Sequence, residues 1–151
     1  MQNLDGQPFP IEPFLQALDF LANFTQHWHL IKEEKRLFPL LWEKGVPLEN
    51  GPLGHMMAEH QDGRRRLAAI SAHLAAAQQG DPDALPQLLS EVRVYIAFLR
   101  EHMRTEERRV FNVARTLLDR QDLERLAREF EEVEQEQIRL AFHHWHGVSA
   151  Q

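Results

Sequence analysis

Cysteine is absent from this chain of 151 residues. Its absence excludes disulfide bonds, zinc ribbons, iron–sulfur clusters and thiol nucleophiles. No apolar run approaches the roughly 18 residues that a membrane-spanning helix needs. The first residues, MQNLDGQPFP, also lack the basic-then-apolar layout of a signal peptide. We therefore expect a cytoplasmic protein that does not associate with membranes.

Positive charge is scarce as well. The chain has 17 Lys and Arg against 23 Asp and Glu, a net charge of −6, whereas nucleic-acid-binding proteins usually carry a basic patch. The basic run Arg64–Arg66 has acidic neighbours, as is typical of a solvated helix face. Glycine-rich phosphate loops, H-E-x-x-H zinc motifs and G-x-S-x-G elbows are absent. The sequence predicts no nucleic-acid partner and indicates none of these catalytic classes.

Apolar residues recur with helical spacing between three clusters of proline and glycine. No segment alternates with a period of two, so strands are not expected. Long helices joined by short loops pack most simply as an up-down bundle. The prediction is a single all-α domain over residues 1–151, a four-helix bundle with helices at about 11–44, 52–79, 82–118 and 122–145.

Prolines refine these helix boundaries. Asp81 followed by Pro82 is typical of a helix start. Pro39 lies inside the first helix, where its missing N–H should kink or loosen one turn. Asn112 takes the corresponding place in the third helix, which need not kink. The apolar residues expected to face inward on the third helix are Leu88, Leu89, Val92, Tyr95, Ile96, Leu99 and Met103.

One pattern, H-x-x-x-E-E-x-R-[LV]-F, occurs twice, beginning at His29 and at His102. Residues four apart lie on one face of a helix, so each histidine should point the same way as Glu33 or Glu106. Burying two such pairs without partners would be costly, and a cation supplies the compensation. A single pair would be read as a weak surface contact. Two pairs, each followed by an apolar turn, predict a metal site in the seam of the bundle.

The second glutamate of each string, Glu34 or Glu107, lies about 100° further round its helix. We expect these side chains to face solvent or to accept a hydrogen bond from a ligand.

The second helix offers two alternatives, the pair His55 and Glu59, or His60. The two histidines lie about 140° apart around the helix, so both cannot face the seam squarely. Counting residues back from the loop favours His60. The same count on the fourth helix brings Glu134 to the level of the site. His143 would lie roughly 13 Å beyond it, unless that helix is shifted or broken or a neighbouring subunit supplies the residue.

Three stretches resemble the hemerythrin-like family of HHE cation-binding domains: KEEKRLFP, KGVPLENGPLGHMMAEHQDGR and LREHMRTEERRVF, which start at Lys32, Lys44 and Leu99. The resemblance implies a four-helix bundle with a non-haem di-iron centre. It also implies ligands at His29, Glu33, His60, His102 and Glu106.

The C-terminal stretch FEEVEQEQIRLAFH is similar to an extra terminal helix of bacterial members, with His143 at a recurrent histidine position. The family usually begins with a helix that carries another histidine ligand, and this chain starts after that point. Either the fourth helix takes the vacant place and offers Glu134 or His143, or two chains associate as a homodimer to fill it.

The resemblance therefore implies a metal-binding protein that senses or binds O₂, responds to redox state or handles iron. Its partner would be O₂ or another small diatomic molecule or oxidant. Iron comes from the resemblance, and manganese and zinc are the alternatives because mixed imidazole and carboxylate ligands suit several metals. The competing hypotheses are a di-iron enzyme that acts on peroxide, NO or O₂, and a helical interaction module that has lost its metal.

Overall fold

The computed structural model describes residues 11–21 and 28–147, and the side chains of residues 11, 19 and 141–147 are outside the description. The elements are α1 (Ile11–Phe20), α2 (Leu30–Lys32), a first π-helical turn (Glu33–Leu37), α3 (Phe38–Glu43), α4 (Pro52–Gln78), α5 (Ala84–Glu106), a second π-helical turn (Glu107–Phe111), α6 (Asn112–Leu117) and α7 (Arg120–Gly147). No strand occurs in the described ranges, so the all-α prediction is confirmed.

Each π turn joins two α-helices without a break. The residues flanking both turns keep α-helical backbone angles, so residues 30–43 form one continuous helix and residues 84–117 another. The helix that begins with α5 starts at Ala84 rather than at Pro82. Its start differs from the prediction because the Asp81 side chain accepts a hydrogen bond from the backbone N–H of Asp83, which closes a turn before the helix.

Two hydrophobic clusters fill the bundle, and the residues predicted to bind metal lie between them along the chain. The first cluster contains Phe38, Leu41, Leu53, Met56 and Val110, among others. The second is built around Leu67, Ile70, Leu74, Leu88 and Tyr95, with residues of α1 packed against it. For each of the first three long helices, residues of one cluster come before the candidate ligands in the sequence. Residues of the other cluster come after them. The bundle therefore carries a polar layer between two apolar layers.

The helix α7 packs antiparallel along the helix that carries Glu33. Lys32 Nζ contacts Glu134 Oε1 at 2.5 Å, and Arg125 Nη2 contacts Glu43 Oε2 at 2.9 Å. A further ion pair joins Lys44 to Asp122. The apolar residues on the inner side of α7 are Leu126 and Val133, which are buried, and Phe130, which packs against the first cluster.

The inward orientation predicted for Ile96 and Met103 is wrong. Their exposed fractions are 44% and 65%. Each follows a buried residue, Tyr95 or His102, by one position, and one position turns a side chain about 100° around the helix. Within the described ranges, no helix combines the length and the apolar character needed to cross a bilayer.

Candidate metal centre

Three side chains from two helices converge in the polar layer. His29 Nε2 lies 2.9 Å from Glu33 Oε1 and 4.0 Å from Glu106 Oε2. One potential ligand atom from each of the three lies within 4.8 Å of the others, and both carboxylates are buried. The spacing of four within the first string brings His29 and Glu33 onto one face, while the bundle brings Glu106 to them from the second string.

His60 joins this group from α4. Its Nε2 is 3.1 Å from Glu33 Oε2, and its Nδ1 is 2.8 Å from Glu34 Oε1. Arg64 Nη2 contacts the same Glu34 oxygen at 2.7 Å. Phe38 stacks on the imidazole with ring centroids 5.7 Å apart. The two oxygens of Glu33 thus face two different imidazoles, those of His29 and His60.

His102 approaches from α5 and meets the ring of His60 edge-on at a centroid distance of 5.2 Å. Its Nδ1 lies 2.7 Å from Glu59 Oε2, and the other oxygen of Glu59 lies 2.9 Å from His55 Nε2. Phe98 stacks on the imidazole with centroids 5.9 Å apart. His55 therefore contacts Glu59, whereas His60 contacts Glu33 of the cluster.

The structure places Glu134 and Glu107 outside this cluster. Glu134 pairs with Lys32, and 55% of its side chain is exposed, so it is not a member of the cluster. The side chain of His143 lies outside the described residues. Glu107 is exposed and pairs with Arg115 at 3.1 Å. The two second glutamates of the repeated strings thus differ, since Glu34 contacts a histidine of the polar layer and Glu107 lies at the surface.

Burial makes the electrostatics of the cluster unusual. Burial raises the pKa of Glu106 to about 9, and the neighbouring Glu33 carboxylate adds to the effect. Burial alone would also raise the pKa of Glu33, but contacts with His29, His60 and Glu106 lower that pKa below its usual value. Contact with Glu33 in turn raises the pKa of His29 above its usual value. Without a cation, the pair of carboxyl groups therefore keeps one proton at neutral pH.

Several buried atoms of the cluster make no well-aligned hydrogen bond with the described residues, although two imidazoles lie about 3 Å from the oxygens of Glu33. They are both carboxylate oxygens of Glu33, Oε1 of Glu106 and Nε2 of His60. Unpaired buried polar atoms in a native structure call for an unseen partner such as an ion. The imidazoles of His29 and His60 lie 2.9 and 3.1 Å from the two oxygens of Glu33, so each histidine would hold an ion together with that carboxylate. Imidazole and carboxylate donors suit first-row transition metals. These residues fit a cation.

The family model of the hemerythrin HHE cation-binding domain matches residues 2–114. The chain belongs to this family. The residues of this hemerythrin HHE protein that match the family model end within α6. The helix α7 therefore lies outside the matched region. No curated protein and no solved structure gives a significant match. Family membership implies non-haem metal binding, and the buried cluster of His29, Glu33 and Glu106 agrees with it.

The π turns were not predicted from the sequence. Each begins within a repeated string, at Glu33 in the first and at Glu107 in the second. Such turns are frequently found at functional sites. Such a turn does not require a proline, since the second turn precedes Asn112 and the first precedes Pro39. In the sequence, the repeated string is the one feature that the two π turns have in common.

Proposed function

We propose that this hemerythrin HHE protein binds iron at a two-metal centre. The ligands would be His29, Glu33, His60, His102 and Glu106. The position of the Glu33 carboxylate carries this proposal, because each of its oxygens faces a different imidazole, at 2.9 Å and 3.1 Å. A carboxylate placed in this way is suited to bridge two ions.

Imidazole and carboxylate ligands suit iron, and they also suit manganese and zinc. Iron is the metal that the resemblance to hemerythrins implies. Iron bound at such a centre supplies binding or reduction of O₂ and related small oxidants. We therefore propose a role in O₂ binding, in sensing of O₂ or redox state, or in iron handling.

The exposure of His29 supports access by a small molecule. Its side chain is 44% exposed, whereas the side chains of Glu33 and Glu106 are 4% and 5% exposed. One edge of the centre therefore faces solvent, while the rest lies between the two apolar clusters. This edge gives a small molecule a route to the centre.

Metal analysis with visible spectroscopy tests the proposal. Protein from iron-fed cells should contain iron, and its absorption spectrum should change on exposure to O₂. The double variant His102→Ala and Glu106→Ala should lose this metal, whereas Glu107→Ala should keep it because Glu107 is exposed and pairs with Arg115. Equal metal content in the double variant and the unaltered protein would contradict the ligand assignment. Catalytic turnover of peroxide or NO would identify an enzyme instead.

A further inference from the structure

Each buried histidine of the polar layer has a carboxylate beside its Nδ1 atom. His60 Nδ1 is 2.8 Å from Glu34 Oε1, and His102 Nδ1 is 2.7 Å from Glu59 Oε2. In each case the carboxylate comes from the preceding long helix of the chain. The first helix thus contacts the histidine of α4, and α4 contacts the histidine of α5.

These contacts determine where a neutral imidazole carries its proton. A carboxylate only accepts hydrogen bonds, so the nitrogen beside it must be the donor. The proton then resides on Nδ1, and Nε2 keeps its lone pair for a metal. The Nε2 of His60 lies 3.1 Å from Glu33 Oε2 but is not aligned for a hydrogen bond with it, whereas Nδ1 is hydrogen-bonded to Glu34 at 2.8 Å. The nitrogen beside the aligned carboxylate therefore carries the proton.

Aromatic stacking fixes the remaining freedom of the two rings. Phe38 lies nearly parallel to the ring of His60, and Phe98 lies nearly parallel to that of His102, with interplanar angles of 12° in both pairs. Stacking sets the plane of each ring but leaves a half-turn about the bond to the ring undetermined. The carboxylate at Nδ1 selects one of the two orientations.

We propose that Glu34 and Glu59 are positioning residues that hold His60 and His102 as Nδ1–H tautomers and so direct each Nε2 toward the metal centre. This inference rests on the proposed metal binding for its consequence. The tautomers themselves are a property of the metal-free protein. The repeated string does not predict this arrangement, because Glu107 occupies the place of Glu34 in the second string and contacts Arg115 instead.

The two carboxylates differ in their second partner. Glu34 is held by Arg64, whose guanidinium always carries a positive charge. Glu59 is held by the imidazole of His55. The negative charge of Glu34 is therefore balanced by a fixed cation, and that of Glu59 lies between two imidazoles. A carboxylate hydrogen-bonded to a ligating histidine makes the other ring nitrogen a better electron-pair donor to the metal. Glu59 should therefore raise the donor strength of His102 more than Glu34 raises that of His60.

Imidazole ¹⁵N NMR of the metal-free protein tests the tautomers directly. In their neutral imidazole form, His60 and His102 should both carry the proton on Nδ1 alone. Glu34→Ala should shift the proton of His60 toward Nε2, and Glu59→Ala should do the same for His102. Glu107→Ala is the matched control and should change neither. A proton on Nε2 in the unaltered protein, or spectra unaffected by both alanine variants, would overturn the proposal.

Metal affinity and reduction potential test the consequence. Glu34→Ala and Glu59→Ala should each weaken metal binding by about 10–100-fold, and Glu107→Ala should not. Glutamine variants keep an acceptor oxygen, so Glu59→Gln should recover part of the affinity yet raise the reduction potential, and by more than Glu34→Gln does. Equal metal affinity in Glu59→Ala and Glu107→Ala would refute the positioning role alone. The expected NMR shifts in a protein that takes up no metal would refute the metal function alone.

Discussion

Glu33 and Glu106 come from different helices and place carboxylate oxygens within 4.8 Å of each other in the buried polar layer. Two carboxylates so close in a region of low dielectric constant cannot both be ionised at low cost. Burial and the negative charge of Glu33 together raise the pKa of Glu106 to about 9. A proton occupies this pair in the metal-free protein, and a cation would displace it.

The stability of the metal-free protein should therefore fall as the pH rises. Glu106 has an ordinary pKa of 4.5 and a folded-state pKa of about 9, so the folded state binds more protons between these values. Its contribution is full below about pH 4.5 and is lost as the pH rises through about 9. Thermal melts in the presence of chelator should show a falling Tm between about pH 5 and 9. Glu106→Gln should flatten this dependence, and an equally steep fall in that variant would contradict the assignment.

Bound metal should stabilise the fold. At a free ion concentration about 100-fold above Kd, a ligand specific to the folded state adds about 2.7 kcal/mol to the free energy of unfolding. Added iron should therefore raise Tm, and a chelator should reverse the increase. The double variant His102→Ala and Glu106→Ala should show neither effect. Unfolding of the unaltered protein that is indifferent to iron and to chelator would instead favour a helical interaction module without metal.

Replacing Glu134 should leave the centre intact. Its carboxylate is largely exposed and pairs with Lys32, and exposed ion pairs contribute about 1 kcal/mol or less. Glu134→Gln should thus lower the free energy of unfolding by less than about 1 kcal/mol and leave the metal content unchanged. Denaturant titration and metal analysis check the two parts. Loss of metal in this variant would show that Glu134 is a ligand and that its pairing with Lys32 is not its main role.

Pro39→Ala should preserve the first π turn. The second π turn forms before Asn112 without a proline, so the turn does not require the missing N–H. Exchanging proline for alanine at a compatible site changes stability by about 0.4–1 kcal/mol, mainly through the unfolded chain. Metal affinity should stay the same, and Tm should change by only a few degrees. A marked loss of metal affinity would show that Pro39 shapes the turn.

Periodicity predicted the helical class well because each long helix buries an apolar stripe. It placed Leu88 and Tyr95 correctly in the core, but it also turned Ile96 and Met103 inward. Adjacent residues of a helix differ by about 100°, and only the position of the neighbouring helices decides which edge of a broad stripe is covered. The sequence shows the apolar stripe of a helix. It does not show which edge of that stripe the neighbouring helices leave exposed.

Spacing also grouped the residues of the candidate site. The rule of four residues paired His29 with Glu33, and loop counting favoured His60, which the structure places beside Glu33. The contact of Glu59 with His102 is not predicted by the sequence, because the spacing of Glu59 from His55 also fits a ligand pair. Its contact with His102 joins α4 to α5, and a contact between helices leaves no periodic mark in the sequence.

The polar layer separates two apolar clusters that share no residue. The bundle therefore resembles two packing units stacked end to end. Ligands from three long helices, held by one centre, would tie the units together at their junction. Hydrogen exchange in the two halves should then be independent in the metal-free protein and become concerted once the ion is bound, so that occupancy of the centre sets the cooperativity of the whole bundle.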